Sequence, residues 1–330
     1  MIVLAFESSC DETSVAVVKN GKEVLSNIVL SQIDIHKIFG GVVPEIASRN
    51  HIQFITATIE EAIDKANVKL KDIDLVAVTR GPGLIGCLLI GINAALAFAY
   101  ANNLKVIGVN HLIGHIYAAN IEKDIKFPAL ALLVSGGHTE LIYMKEHMNF
   151  KLLGSTLDDA VGEAYDKVAR VLGLSYPGGP IVDKLAALGS DTYHLPRPYL
   201  LDKEYDFSFS GLKSAVINTI HNCKQKNIEI NVNDMCTSFQ NSVIDVLLHK
   251  VKKGLSDFKV NSLVVAGGVA ANKGLRKKLL EEIKDVEVII PPFNYCTDNA
   301  AMIASAAYYM YNENSEDNKY ILEGTSTLDL

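Results

Sequence analysis

One structural plan, stated twice, constrains this 330-residue chain more than any other feature. The opening "MIVLAFESSCDETSVAVVKNGKEVLSNIVL" reads as strand, polar turn, strand, turn, strand, with Ser8, Ser9, Asp11, Glu12 and Thr13 in the first turn. "PALALLVSGGHTELIYMKEHMNFKLLG" repeats the layout, with Ser135, Gly136, Gly137, His138 and Thr139 in the turn. A strand, glycine loop, apolar helix and strand follow in each copy: "DLVAVTRGPGLIGCLLIGINAALAFAYANNLKVIGV" and "NSLVVAGGVAANKGLRKKLLEEIKDVEVII". Between the two blocks lie a helical stretch at 44–66 in the first copy and a longer helical insertion at 155–256 in the second. Duplication of this kind predicts an α/β protein of two similar domains facing one another across a ligand-binding cleft. The expected domains are 1–128 plus 299–330, and 129–298.

Composition narrows the class. Apolar residues make up 49% and charged residues 21%, the balance of a soluble globular protein rather than a disordered one. A net charge of −7 argues against a generally basic nucleic-acid binder, while leaving room for RNA held on a local patch or with a partner's help. The five cysteines, Cys10, Cys87, Cys223, Cys236 and Cys296, are odd in number and form no C-x-x-C pair, which points to buried thiols in a reducing compartment. The N-terminus turns acidic early and lacks a basic leader, so no signal peptide is expected. The apolar run at 84–100 is short for a membrane span and contains Asn93, so it reads as a buried helix between two strands. The expectation is a cytoplasmic protein with no membrane contact.

In "NHLIGHIYA", His111 and His115 stand four apart, and residues at that spacing share one helix face. The pair could grip a metal ion, or simply be two polar residues at a helix start. A zinc protease needs a glutamate directly after the first histidine as its general base, and that position is Leu112. Asn110 is a good N-cap, which places both imidazoles in the first turns, where the helix dipole favours the neutral, ligating form. Asp298 of "YCTDNAAMIA" offers a third ligand, or a cap for the helix starting near Asn299. Two histidines and an aspartate with open coordination positions suit ferrous iron or zinc, and the residues alone do not choose.

The order of turns, with "VVAGGVAAN" as an adenosine-type loop, resembles the actin-like (ASKHA) ATPase superfamily, which implies a nucleotide in the cleft. Ten motifs resemble one branch of it more closely, the bacterial TsaD family: "ESSCDET", "GGVVPEIASRNH", "TRGPGLIGCLLIG", "NHLIGH", "LLVSGGHTEL", "DDAVGEAYDKVARVLGL", "YPGGP", "FSFSGLKSAV", "VAGGVAANKGLR" and "CTDNAAMIA". They run from the first strand to about Ala307. The resemblance implies transfer of a threonylcarbamoyl group from L-threonylcarbamoyl-adenylate to the exocyclic amine of adenosine 37, in tRNAs reading codons that begin with A, with release of AMP. It implies one Fe2+ per chain on His111, His115 and Asp298, with Zn2+ as an alternative occupant in purified protein. In the archaeal and eukaryotic branch a tyrosine before the Val-Ser-Gly-Gly stretch can join the metal; here that place is Leu133.

By the same resemblance Leu133, Val134, Ser135, Gly136, Gly137, Asp166, Gly179, Asp183 and Asn272 become substrate-contacting residues. The turn donors suit phosphate, the aspartates suit ribose hydroxyls, and Gly179 lets backbone lie against a flat base. Taken alone, the aspartates also read as solvated helix residues and Asn272 as a helix-start residue. Asp11 and Glu12 face the same cleft in the superfamily layout, but no residue is assigned as the base. Partners implied are tRNA and TsaB-like and TsaE-like proteins. The stretch 44–66 carries Ile46, Ile52, Phe54, Ile55, Ile59, Ala62 and Ile63, a wider apolar face than one core stripe needs, which reads either as a broad internal face or as a surface for a partner protein. The rival functions are a metalloprotease, and a small-molecule kinase or ATPase of the actin-like group.

Overall fold

The computed structural model describes residues 1–200, 203–313 and 320–330. The chain divides into two compact units, Met1–Ile125 with Pro291–Leu330, and Lys126–Ile290. The later crossing falls earlier than the 298/299 boundary drawn from the sequence, which carries Asp298 into the first unit.

In the first unit β1 (Ile2–Glu7), β2 (Glu12–Lys19) and β3 (Glu23–Ser31) form an antiparallel meander. A short helix α1 (Ile33–His36) and the long α2 (Pro44–Ala66) lead to β4 (Leu75–Gly81), α3 (Ile85–Asn102), β5 (Lys105–Asn110) and α4 (His111–Glu122). The sheet order is β3-β2-β1-β4-β5, with β4 parallel to both β1 and β5. β1 and β2 are buried along nearly their whole length, which is why they read as apolar runs instead of alternating. Asn20 and Gly21 turn the chain between β2 and β3 at positive φ, the conformation these two residue types adopt most readily. Pro44 opens α2 at a position that needs no N–H, and Asn67 closes it in the left-handed region.

The core of this unit sets Leu4, Phe6, Val15, Val17, Val76 and Val78 of the sheet against Ile55 and Ala62 of α2 and Leu88, Ile92, Ala95 and Ala99 of α3. The α3 residues recur every three or four positions, one helical stripe, and each full burial of a Leu or Ile contributes about 1.5–3 kcal/mol. Among the described residues α3 is the one helix long and apolar enough to cross a membrane. It does lie between two strands, as expected, but only one face is buried; Ile85 and Leu89 are exposed.

In the second unit β6 (Ala129–Val134), β7 (Thr139–Glu146) and β8 (Asn149–Ser155) form the matching meander. The insertion follows as α5 (Val161–Val171), α6 (Gly178–Ala186), α7 (Ser210–Gln225) and α8 (Val232–Asp257), then β9 (Ser262–Ala266), α9 (Lys273–Glu282) and β10 (Glu287–Ile289). The sheet order β8-β7-β6-β9-β10 reproduces that of the first unit strand for strand. The duplication read from the sequence is therefore a duplication of topology. Within the insertion, Asp158 accepts from the Phe209 and Ser210 amides at 2.8 and 3.2 Å and from both Ser208 and Ser210 hydroxyls, which pins the start of α7. The chain then returns to the first unit as α10 (Ala300–Glu313), which packs on α4, β1 and β2.

Candidate functional site

β1, β4 and β5 run parallel, so their C-terminal ends share one edge of the first sheet. Glu7 ends β1, Thr79 lies near the end of β4, and β5 passes straight into α4 at His111. Asn110 caps that helix, its side-chain oxygen accepting from the Leu112 and Ile113 amides at 2.8 and 3.4 Å. His111 and His115 are thereby held one turn apart, their rings edge-to-face with centroids 4.6 Å apart. Asp298 arrives from the turn before α10. Capping of α10 falls to Asn299, whose Oδ1 accepts from the Met302 amide at 3.1 Å, so the Asp298 carboxylate is released from that duty. Its Oδ1 stands 3.2 Å from His115 Nε2 and 3.5 Å from His111 Nε2.

One ligand atom from each of His111, His115 and Asp298 lies within 4.8 Å of the others. Ligands about 2.0–2.2 Å from one ion lie at most ~4.4 Å apart, so the three converge nearly as closely as a shared ion requires. The donor set fits a divalent ion: two imidazoles and a carboxylate. A close approach of α10 to α4 makes this possible, and it occurs at Gly114, between the two histidines: a Cβ there would stand 2.6 Å from Ile303 Cδ1.

The electrostatics of the group are strongly coupled. Burial would depress the His111 imidazole, yet the Asp298 and Glu7 carboxylates together push it up to about 9. Burial would raise Asp298, and the charge of His111 with the bond from His115 carries it down to about 2. His115 is lowered, chiefly by burial, and its Nδ1 is buried without a hydrogen-bond partner. Glu7 is fully buried; burial would raise it, and the charge and hydrogen bond of His111 hold it below the usual carboxylate range. Glu12 is pushed well above that range by burial and by the neighbouring Asp298 and Asp11 carboxylates.

Sequence reasoning singled out His111, His115 and Asp298 and missed what stands behind them. His111 Nδ1 lies 3.0 Å from Glu7 Oε2 and 3.2 Å from Ser9 Oγ. Glu7 in turn accepts from the Thr79 hydroxyl at 2.6 Å on Oε2 and from the Ser9 amide on Oε1. Glu7 belongs to "ESSCDET", but nothing local marks it as a partner of a histidine in another strand.

The nine expected substrate residues all lie in the second unit and fall into three places. Ser135, Gly136 and Gly137 turn the chain from β6 to β7, closed by the Ser135 amide donating to the His138 carbonyl at 2.9 Å and the His138 amide donating to Ser135 Oγ at 3.1 Å. Gly136 and Gly137 are exposed, with open space where a side chain would be. Leu133 and Val134 are different: both side chains are fully buried, and Leu133 pairs with Glu140 on one side and Ala266 on the other. Leu133 is a core residue of a central strand, and its side chain has no surface to offer a substrate.

Asp166 accepts from the Gly178 amide at 2.7 Å and caps α6; burial raises its carboxyl. Gly179, next in line, faces open space. Asp183 and Asn272 belong together. Asp183 accepts from the Lys273 and Gly274 amides at 3.0 and 3.2 Å and from Gln240 Nε2 at 3.1 Å. Asn272 caps α9 through the Leu275 amide at 2.8 Å and donates to Gln240 Oε1 at 2.7 Å and the Tyr165 hydroxyl at 3.3 Å. The plain reading of Asn272 as a helix-start residue holds, and a buried network with Gln240 and Tyr165 is added to it. Neither of those two carries any local signal.

Residues 23–305 match the family model described as TsaD: tRNA N6-adenosine threonylcarbamoyltransferase. A protein of that description from Staphylococcus carnosus is 59% identical over 331 residues, covering 100% of this chain and 96% of its own. Its counterpart from Staphylococcus epidermidis is 61% identical over 312 residues, covering 94% and 92%. Among solved structures, full-length HypF in its phosphate- and nucleotide-bound form superposes with a TM-score of 0.62 at 14% identity, covering 94% of this chain and 46% of that one. Component A of the Acidaminococcus fermentans (R)-2-hydroxyglutaryl-CoA dehydratase gives 0.56 at 18%, covering 96% and 100%. These two likenesses bear on fold alone, and the fold is the duplicated actin-like one. The sequence matches decide the rest: the chain belongs to the TsaD family of tRNA N6-adenosine threonylcarbamoyltransferases, transferases that modify tRNA.

Proposed function

We propose that this transferase takes L-threonylcarbamoyl-adenylate as donor and acylates N6 of adenosine 37 in tRNAs that read codons beginning with A. The amine nitrogen attacks the carbamoyl carbon, the bond from that carbon to the phosphate oxygen breaks, the amine gives up a proton, and AMP leaves. The donor is already activated, so no covalent enzyme intermediate is needed.

The observation that supports this reading most is the convergence of His111, His115 and Asp298, in a chain of this family, on a volume that suits one ion. In this proposal they hold Fe2+, with Zn2+ as an alternative occupant. A divalent ion bound there supplies Lewis acidity and an anchor for an acyl or phosphate oxygen. A protease is disfavoured because the required base position is Leu112, only 2% exposed. A kinase of the actin-like group has no use for two histidines and an aspartate around one ion.

In the second unit the turn at Gly136 and Gly137, exposed and with open space at both Cα atoms, is the proposed source of backbone donors for an anionic phosphate. A carboxylate has about four acceptor sites, and Asp183 spends three within the protein, leaving one for a ribose hydroxyl. The amide group of Asn272 spends both its hydrogens on Gln240 and Tyr165, so its direct contribution to adenosine is one remaining acceptor lone pair. tRNA is the substrate of the reaction; TsaB-like and TsaE-like proteins are the proposed partners and the cytoplasm the proposed location.

Mass spectrometry of tRNA nucleosides from cells depleted of the protein tests the reaction, with loss of threonylcarbamoyladenosine expected. An Asp298→Asn chain, isosteric but uncharged, is expected neither to retain metal nor to restore the nucleoside. Unchanged nucleoside levels on depletion rule out the reaction; full complementation by a metal-free Asp298→Asn chain removes the ion from it.

A further inference from the structure

The two histidines of the candidate metal group have the same chemistry and opposite surroundings. His115 Nδ1 is buried with no partner, so nothing holds a proton on that nitrogen, while Nε2 faces Asp298 Oδ1 at 3.2 Å. His111 Nδ1 faces Glu7 Oε2 at 3.0 Å, and Glu7 is itself fixed from two further directions by Thr79 Oγ1 and the Ser9 amide. Glu7 is 0% exposed, and both donors that hold it come from its own unit: Ser9 two residues on and Thr79 in the adjacent parallel strand.

We infer that Glu7 is a positioning residue, which keeps the His111 proton on Nδ1 and so presents the Nε2 lone pair as the anchored ligand of the site. A carboxylate can only accept, so the nitrogen facing it must donate; the opposite nitrogen is then free of hydrogen in the neutral ring. Carboxylates behind metal-bound histidines act in this way, fixing the tautomer and raising ligand basicity, and removing them weakens metal affinity about 10–100-fold. The asymmetry ranks the ligands. In the neutral ring Glu7 holds the His111 proton away from the metal side, whereas His115 has to place its proton on an unpartnered nitrogen before Nε2 can ligate.

Thr79 and Ser9 decide what a Glu7→Gln substitution does. The glutamine oxygen must face the Ser9 amide, which only donates, so the –NH2 end faces Thr79 and His111. The Thr79 hydroxyl reverses to accept, and His111 Nδ1 has to accept as well, which drives its proton to Nε2 and blocks the metal. The substitution is isosteric and keeps the packing around a buried side chain.

This inference rests on the metal reading of the site, and the test separates the two. Full-length wild type, Glu7→Gln and Thr79→Val are titrated with Co2+ by calorimetry, and the imidazole tautomers are read in the metal-free chain by 15N–1H correlation NMR, at a pH high enough that His111 is uncharged, with His115 as internal reference. Expected for Glu7→Gln are Co2+ affinity at least tenfold weaker, the His111 proton moved to Nε2, and His115 unchanged. Thr79→Val keeps the carboxylate and with it the tautomer, with affinity within about threefold. A Glu7→Gln chain with wild-type affinity, or with His111 still protonated on Nδ1, overturns the role of Glu7. A Thr79→Val chain that loses as much affinity as Glu7→Gln overturns it too, by assigning the effect to packing. A wild-type chain that takes no Co2+ overturns the metal reading itself, and the tautomer measurement then decides on Glu7 alone.

Discussion

Gly114 and Ile303 meet so closely that a single methyl group does not fit between them: a Cβ on Gly114 would stand 2.6 Å from Ile303 Cδ1 and 3.3 Å from Met302 Cγ. This contact is where α4, which carries both histidines, lies against α10, which follows Asp298. Gly114→Ala therefore overpacks the contact, at a cost of about 1–3 kcal/mol, and moves Asp298 away from the imidazoles. Metal affinity and thermal stability are expected to fall together. Ile303→Val removes the clashing Cδ1, so Gly114→Ala/Ile303→Val is expected to recover most of both. A Gly114→Ala protein with unchanged metal affinity in the same titration disproves the spacing argument.

Asn272 joins the cap of α9 to a buried network with Gln240 and Tyr165, and the two duties can be separated. Asn272→Ala loses both, Asn272→Ser keeps a capping oxygen and loses the donor to Gln240. Loss of the cap costs about 0.5–2 kcal/mol, so the alanine variant is the less stable of the two. Both are expected to bind adenine nucleotides at least tenfold more weakly, with metal content unchanged because the metal group lies in the other unit. Wild-type nucleotide affinity of Asn272→Ser in calorimetry places the adenosine elsewhere.

Asp158 ties the motif at 158–174 to the one at 207–216, through two amides and two hydroxyls at the start of α7. Burial would raise its carboxyl, and the hydrogen bonds from Ser208, Phe209 and Ser210 hold it below the ordinary aspartate value of about 3.9. A depressed folded value means the contribution is fully present above about pH 3.9 and is lost as pH falls through the lower folded value. Amide exchange at Phe209 and Ser210 is expected to lose protection there in the wild type. Asp158→Asn loses it already at neutral pH, by about 1.5 kcal/mol, the low end for a hydrogen bond to a charged group because this carboxylate is exposed. Equal protection in both proteins at pH 7 would show that the clasp does not hold α7.

The topology was legible because it is stated twice: the same order of runs and turns in two segments led to the same strand order in two sheets. His111 and His115 were legible because their partnership is local, one helical turn. Glu7 was not, because its contact with His111 exists only once β1, β4 and β5 are laid side by side and their ends come to one edge. Gln240 is hidden for the same reason, an unremarkable position on α8 that reaches Asn272 across the fold. Burial of the Leu133 side chain was hidden in another way. A resemblance aligns positions along the chain, and the residue two places before an exposed turn is, in a central strand, in the core.

The last prediction concerns α2. Of the apolar residues read as one wide face, Ile55 and Ala62 are buried in the sheet-facing core, and Ile59 and Ile63 pack against it. Ile52 and Phe54 do not: they remain 60% and 38% exposed. The wide face therefore divides into a core stripe and an apolar remainder turned outward, which is the composition expected of a surface that meets another protein. A chain with a net charge of −7 has weak long-range attraction for a polyanion, so help in engaging tRNA is expected from such a partner. Ile52→Glu and Phe54→Glu place charge on that outer surface at a stability cost within about 0.5 kcal/mol, since neither side chain is in the core. The purified chain alone is expected to complete few turnovers, and a TsaB-like partner to raise its rate. The glutamate variants are expected to lose that gain while binding metal and nucleotide as the wild type does. Co-elution of the variants with the partner at wild-type strength, or many unaided turnovers by the wild-type chain, would each reject α2 as the docking surface.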